Sequence, residues 1–266
     1  MNAIYSLHRG TRPLLVSLPH VGTQIPDSLQ SAYVDAALAV PDTDWHLDQL
    51  YAFVRDRGAS LLVPRLSRYV IDLNRPGDDE PMYAGSNNTG LCPLTGFDGQ
   101  PIYRPGRAPD QAEIARRRAL YWTPYHDALS GELQRLVHEH GHAVLFDGHS
   151  IRSELPWLFD GRLPDLNLGT AAGSSCALSL REALGAVLAA QTQFTHVVDG
   201  RFKGGHITRH YGRPGQGVHA VQLEMCWSCY MDETSPGAVA ADRSARLEHV
   251  LEALVDTMLD WKPHVG

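Results

Sequence analysis

Three places in this chain set an acid or an imidazole where a short apolar run gives out. Asp147-Gly148-His149-Ser150 follows the run from Ala143 to Phe146, which lies between glycines. Pro19-His20-Val21-Gly22 follows Leu14 to Leu18, and Glu224 closes the run that starts at Val218. Short apolar runs bounded by turn residues fit strands buried on both faces. In open α/β sheets the ligand crevice lies beyond the carboxyl ends of the strands. Strand ends would therefore deliver His20, Asp147 and His149 to one crevice, with His149 as a ligand of a catalytic metal. A loop histidine bonded to backbone is the competing account of His20. An acid in an apolar strand end is costly without a partner or a task. Burial raises its pKa toward the range a general acid/base needs at neutral pH, which is the role expected of Glu224.

A carboxylate ligand is expected from Asp42-Thr43-Asp44-Trp45-His46-Leu47-Asp48. These residues precede a helical face of Leu47, Leu50, Tyr51 and Val54, so some of the acids could cap that helix or complement its dipole. Their density exceeds what a cap needs, and which of Asp42, Asp44, His46 and Asp48 is the ligand stays open at this point. Two histidines and a carboxylate form a common three-ligand catalytic zinc set that leaves one position for water. Such a metal lowers the pKa of its water to roughly 7 and polarises a carbonyl. Arg65, Arg68, Asn74 and Arg75 flank the stretch from Tyr69 to Leu73, which is apolar but for Asp72. Arginine is rarely buried unless paired and is the bidentate partner of carboxylates. The competing account is a structural bridge from Arg65 or Arg68 to Asp72. Lys203-Gly204-Gly205-His206-Ile207-Thr208-Arg209 interleaves glycines with cations, which suits a loop wrapped closely around an anion. Together these pieces point to hydrolysis of an amide on a small acidic molecule.

Other patterns carry less chemistry. His138-Glu139-His140-Gly141-His142 lacks the His-Glu-x-x-His spacing and fits a helix C-terminus followed by glycine. Cys226-Trp227-Ser228-Cys229 has no second cysteine pair to complete a zinc knuckle and fits incidental thiols. Walker A, GxGxxG and GxSxG motifs are missing, which counts against nucleotide binding and serine hydrolysis. A formal net charge of −7 with no Lys/Arg block argues against nucleic acid as a partner but leaves room for a small anionic substrate. No apolar run is long enough to span a bilayer, and the N-terminus lacks a signal-peptide pattern. Four cysteines are too few for a disulfide scaffold at 266 residues, so a reducing cytoplasm is expected.

The elements that must position these residues alternate along the chain. Strands are expected at 14–18, 59–63, 69–73, 143–146, 163–170, 195–198 and 218–225. Helices are expected at 26–34, 47–54, 110–140 with a break or kink at Pro124, 176–190 and 236–261. A long loop region spans 76–109. Alternation of this kind defines an α/β class. With 43% hydrophobic and 20% charged residues the chain can bury an ordinary core. One domain over 1–266 is expected, with a mixed, mostly parallel central sheet flanked by helices.

In Ser17-Leu18-Pro19-His20, Asp42-Thr43-Asp44-Trp45-His46, Ser67 to Arg75, Asp147-Gly148-His149-Ser150, the Gly204 to Gly212 loop, and Gln222-Leu223-Glu224 with Tyr230-Met231, the chain resembles the N-formylglutamate amidohydrolases. The matching pieces run in order over almost its full length. The resemblance implies hydrolysis of N-formyl-L-glutamate to formate and L-glutamate, a late step of histidine degradation. It also implies a divalent metal, zinc first, with cobalt, manganese or iron as alternatives. Another N-acyl acidic amino acid as substrate, or a non-catalytic binder of an acidic metabolite, are the other readings. A more distant similarity to zinc carboxypeptidases and aspartoacylases implies a carboxypeptidase-like fold and residue roles. His20 and His149 would bind metal and Glu224 would be the base. Arg68 would polarise the scissile carbonyl. Asn74 and Arg75 would bind one substrate carboxylate, and Arg209 the second. Position 23 is Thr where that pattern has Glu, so the carboxylate ligand is assigned to Asp44. The Arg68 to Arg75 spacing is one residue shorter than in aspartoacylases.

Overall fold

The computed structural model describes residues 4–80, 89–234 and 236–263. Among these residues seven strands form one mixed sheet. They are β1 (Tyr5–His8), β2 (Leu14–Ser17), β3 (Ser60–Pro64), β4 (Ala143–Ile151), β5 (Leu166–Gly169), β6 (His196–Val198) and β7 (Val218–Cys226), in the order β1-β3-β2-β4-β7-β5-β6. The pairs β3–β2, β2–β4, β4–β7 and β5–β6 are parallel, while β1–β3 and β5–β7 are antiparallel. This is the expected α/β class with a mostly parallel sheet.

The helices are α1 (Asp27–Gln30), α2 (Asp35–Leu38), α3 (Leu47–Leu50), α4 (Gln111–Arg117), α5 (Thr123–His140), α6 (Leu178–Ala190), α7 (His206–Tyr211) and α8 (Ala241–Asp260). Side-chain alternation along β4 splits the core. Val144 and Phe146 join Val221 and Leu223 of β7 beneath α6 and α8. Ala143 and Leu145 join Ala220 beneath Leu129, Leu133 and Leu136 of α5. Because side chains alternate with a period of two, Asp147 and His149 continue the α5-facing row. The register sets Asp147 beside Gln222 and His149 beside Glu224.

Several sequence expectations change. The strand expected at 143–146 runs on to Ile151, because pairing with β7 continues over nine residues. His149 therefore sits on the strand, not beyond its end. The strand expected at 69–73 is absent among the described residues. Its apolar side chains are buried, but its backbone folds in turns, with Val70 N–H donating to the Ser67 carbonyl and Asn74 N–H to the Asp72 carboxylate. The helix expected at 110–140 divides into α4, a wider π-helical turn over Arg118–Trp122, and α5, with Pro124 in the first turn of α5, where a missing N–H costs nothing. Asp110 caps α4 through the Glu113 N–H. The helix expected over 26–34 is shorter, and α2 follows it. The loop at 202–215 contains α7, and the antiparallel edge strand β1 was not expected. Within the loop region at 76–109, residues 81–88 lie outside the described residues.

His126 of α5 ties this helix to the polar half of the fold. Its Nε2 lies 2.9 Å from the Leu73 carbonyl and its Nδ1 2.9 Å from the Tyr211 hydroxyl, and its ring stacks 3.7 Å from Trp122. Burial pushes its pKa down to about 3. The folded state thus binds fewer protons at this group than the unfolded chain. Its contribution is present above the ordinary histidine value of 6.5 and is lost as pH falls toward 3. Urea unfolding of wild type and His126→Gln at pH 7 and pH 5 should show the wild type losing about 2 kcal/mol more than the variant over that interval.

Candidate metal centre

His20, Asp44 and His149 meet at the carboxyl ends of β2 and β4. One ligand atom from each lies within 4.8 Å of the others, and all three residues are buried. The imidazole rings stand 4.9 Å apart, centre to centre. Asp44 Oδ2 is 3.1 Å from His149 Nδ1 and 3.8 Å from His20 Nδ1. Backbone geometry brings the pieces in. His20 lies in the turn after β2, and its carbonyl accepts the Asp44 N–H. The acids near Asp44 do other things. Asp42 accepts from the Tyr69 hydroxyl and the Phe97 N–H, His46 opens α3 in a left-handed conformation with φ 63°, and Asp48 is exposed. The helix α3 has no side-chain cap, so the surplus of acids in this segment is not a capping device.

Behind each ring stands a second carboxylate. Asp72 Oδ1 is 2.7 Å from His20 Nε2, and Asp147 Oδ2 is 3.1 Å from His149 Nε2. Each contact orients its ring and leaves Nδ1 facing inward, the arrangement by which carboxylates support metal-binding histidines. Burial lowers the His20 pKa, assisted by Arg68, which keeps a lone pair on the ring. Burial would lower His149 as well, but Asp147 and Asp44 outweigh it and hold its pKa well above the usual value. The two carboxylates around this ring concentrate negative charge of the kind a divalent cation would neutralise. Asp147 Oδ1 is buried with no hydrogen-bond partner among the described residues. Inward-facing imidazoles, a shared carboxylate and an electron-rich surround fit a borderline divalent ion. The trio is able to hold a metal.

The trio borders a cavity of about 260 Å³ that Glu224 also lines. Burial, countered by His149 and reinforced by Asp44, pushes the Glu224 carboxyl up to about 8. Arg68 is buried, lines the cavity and donates to Asp72 at 2.6 Å with its guanidinium over the Phe97 ring. The structural bridge considered from sequence is thus present, without removing Arg68 from the cavity wall. Arg75 also lines the cavity, held by Thr89 and the Asn74 carbonyl. Asn74 has its amide nitrogen 2.9 Å from His149 Nε2 and accepts the Ile207 N–H through Oδ1. It lies hard against Gly205, where a Cβ would approach its amide to 2.3 Å. Arg209 does not line the cavity. It is exposed on α7 and donates to the Gly204 carbonyl.

A family model described as N-formylglutamate amidohydrolase matches residues 12–231. The chain belongs to the N-formylglutamate amidohydrolase family. It is 52% identical to a Pseudomonas aeruginosa protein named N-formylglutamate deformylase, with 98% of each chain covered. A Pseudomonas putida protein of the same name is 50% identical, covering 98% of this chain and 97% of that one. The crystal structure of N-formylglutamate amidohydrolase from Ralstonia eutropha superposes with a TM-score of 0.81 at 25% identity, over 97% of this chain and 96% of that one. The family's matched span contains the metal trio and Glu224.

Several cavity residues escaped the reading of the sequence, Ser150, Gln222 and Arg201 among them. Ser150 accepts the Tyr230 hydroxyl at 2.8 Å, Gln222 accepts the Gly205 N–H at 2.7 Å, and Arg201 lies on the wall with Phe159 and Phe202. A signal for Arg201 existed, since it follows the end of β6 as His20 follows the end of β2. No helix among the described residues is long and apolar enough to cross a membrane. The Cys226 and Cys229 thiols are buried, which pushes Cys229 up to about 12 and Cys226 higher still. Thiols so disfavoured as thiolates make poor nucleophiles and poor metal ligands.

Proposed function

We propose that this chain is a metal-dependent N-formyl-L-glutamate deformylase that releases formate and L-glutamate in histidine degradation, as one cytoplasmic metallohydrolase domain. The observation that carries the reading is the pairing of Glu224 beside His149 in the β4–β7 register, so that a buried carboxyl and the His20/Asp44/His149 trio share one small cavity. Near-full-length identity to proteins named N-formylglutamate deformylase supports the choice of substrate. Formate release from N-formyl-L-glutamate by the purified protein tests it. Absence of turnover with zinc, cobalt, manganese and iron each supplied would refute it.

His20, Asp44 and His149 would hold the ion, with zinc the first choice for a two-imidazole, one-carboxylate set. A bound divalent ion would polarise the formyl carbonyl, acidify water and favour the ionised form of Glu224. Glu224 takes a proton from the attacking water and returns it to the leaving nitrogen as the C–N bond breaks. Arg68 donates toward the carbonyl oxygen as negative charge develops there. Arg75, with Asn74 behind it, holds a carboxylate of the glutamate half. Ile151, Leu158, Phe159 and Phe202 line the same cavity and exclude water from the rest of the guest.

Asp147 orients His149 from behind. Asp147→Asn should weaken zinc binding about 10- to 100-fold, read by competition with a fluorescent chelator, with a smaller effect on kcat once the metal is saturating. Unchanged affinity would show that Asp147 does not act on the centre through the ring.

A further inference from the structure

N-formylglutamate carries two carboxylates, so its site needs two cationic partners. Among the described residues three guanidiniums line the cavity: Arg68, Arg75 and Arg201. Arg68 is already neutralised by Asp72. Neither Arg75 nor Arg201 makes an ion pair with a carboxylate among the described residues. Among the described residues Arg75 bonds to neutral acceptors, Thr89 and the Asn74 carbonyl. Arg201 enters from the β6 side, three residues past that strand's end. It donates through Nη2 to the Leu158 carbonyl, and its cation rests 5.0 Å from the centre of the Phe159 ring. A guanidinium has five N–H donors, so with one Nη2–H on the Leu158 carbonyl Arg201 keeps a second Nη2–H, which can pair with the adjacent Nε–H or Nη1–H in a planar two-point grip on a carboxylate. The stacking and the Leu158 bond fix the plane of that fork beforehand, which lowers the ordering cost on binding.

We propose that Arg201 is the specificity residue that takes the second carboxylate of the substrate, the task that the similarity to zinc carboxypeptidases and aspartoacylases implies for Arg209. The assignment rests on the deformylase reading and deepens it. It explains how a site built from one amide-cleaving centre selects an acidic side chain. Arg75 grips one carboxylate and Arg201 the other, while the aromatic rings beside Arg201 cover the methylenes between them. Arg209, at the outer side of the glycine loop, steadies that loop through the Gly204 carbonyl.

The test compares N-formyl-L-glutamate with N-formyl-L-glutamine, equal in size but neutral at the side chain, on the full-length metal-loaded enzyme. The wild type should prefer the glutamate form. In Arg201→Gln the ratio of the two kcat/KM values should fall about 10- to 100-fold, the usual worth of a charge-assisted hydrogen bond. The loss should appear chiefly in KM for N-formyl-L-glutamate. Arg201→Lys should restore part of the preference. An unchanged ratio overturns the proposal. So does an equal loss on both substrates, which would mean that Arg201 only tethers the Phe159 loop. A wild type that favours the glutamate form while Arg201→Gln keeps that preference leaves the deformylase reading standing and removes Arg201 alone. A wild type that cleaves neither compound removes both.

Discussion

Glu224→Gln will lower kcat/KM for N-formyl-L-glutamate by about 10²- to 10⁴-fold, the range that positioned general acid/base groups contribute. Glutamine keeps the shape and polarity of the side chain but cannot take a proton. Glu224 lies outside the His20/Asp44/His149 trio, so the variant should bind zinc in the wild-type amount. The expectation follows from placement. The carboxyl is buried beside His149 with Asp44 and Asp147 near, and in that setting its pKa is pushed up to about 8. A carboxylate balanced near neutrality can accept a proton from water and surrender it to a departing amine in the same turnover. Metal content by elemental analysis and steady-state formate release together check it. A fully active, metal-replete Glu224→Gln enzyme would end the role assigned to this residue.

Removing the metal will cost more than about 10³-fold in turnover, because polarising a carbonyl and acidifying water supply several kcal/mol of transition-state stabilisation. Dialysis against chelator should abolish formate release, and added zinc should restore it. His149→Ala should copy the chelated state without rescue, since it removes the imidazole at the centre of the trio and leaves Asp44 and Asp147 facing each other across a gap. Asp44→Asn should fall between these, keeping the two imidazoles but losing the charged ligand. Full activity at measured zero metal would overturn the metal reading, whatever the variants do. The chelation arm involves no substitution, so misfolding cannot mimic its result.

Local chemistry made much of this legible in the chain itself. Apolar runs that stop at Pro19-His20 and Asp147-Gly148-His149, and an acid closing the run at Glu224, are statements about covalent neighbours, and neighbours set where an apolar run stops. The density of acids from Asp42 to Asp48 was also visible, because a helix start needs fewer. Only the fold selected Asp44 among them. Asp42 is taken up by Tyr69 and Phe97, Asp48 points to solvent, and Asp44 alone reaches His149.

What the chain determined unaided is the set of reactive side chains and the α/β alternation that carries them, because both depend on residue type and on periods of two or 3.6. What the tertiary structure decided is who meets whom. The stretch from Tyr69 to Leu73 has the composition of a strand, yet it coils around Asp72 because that carboxylate serves His20, Arg68 and the Asn74 N–H at once. The β4 strand outlasts its apolar run because β7 pairs with it to the end. Arg201 reaches the cavity while Arg209, on the more suggestive glycine-rich loop, does not. These outcomes turn on contacts between residues tens of positions apart, such as His20 with Asp72 and β4 with β7, and a one-dimensional pattern contains no distance for them.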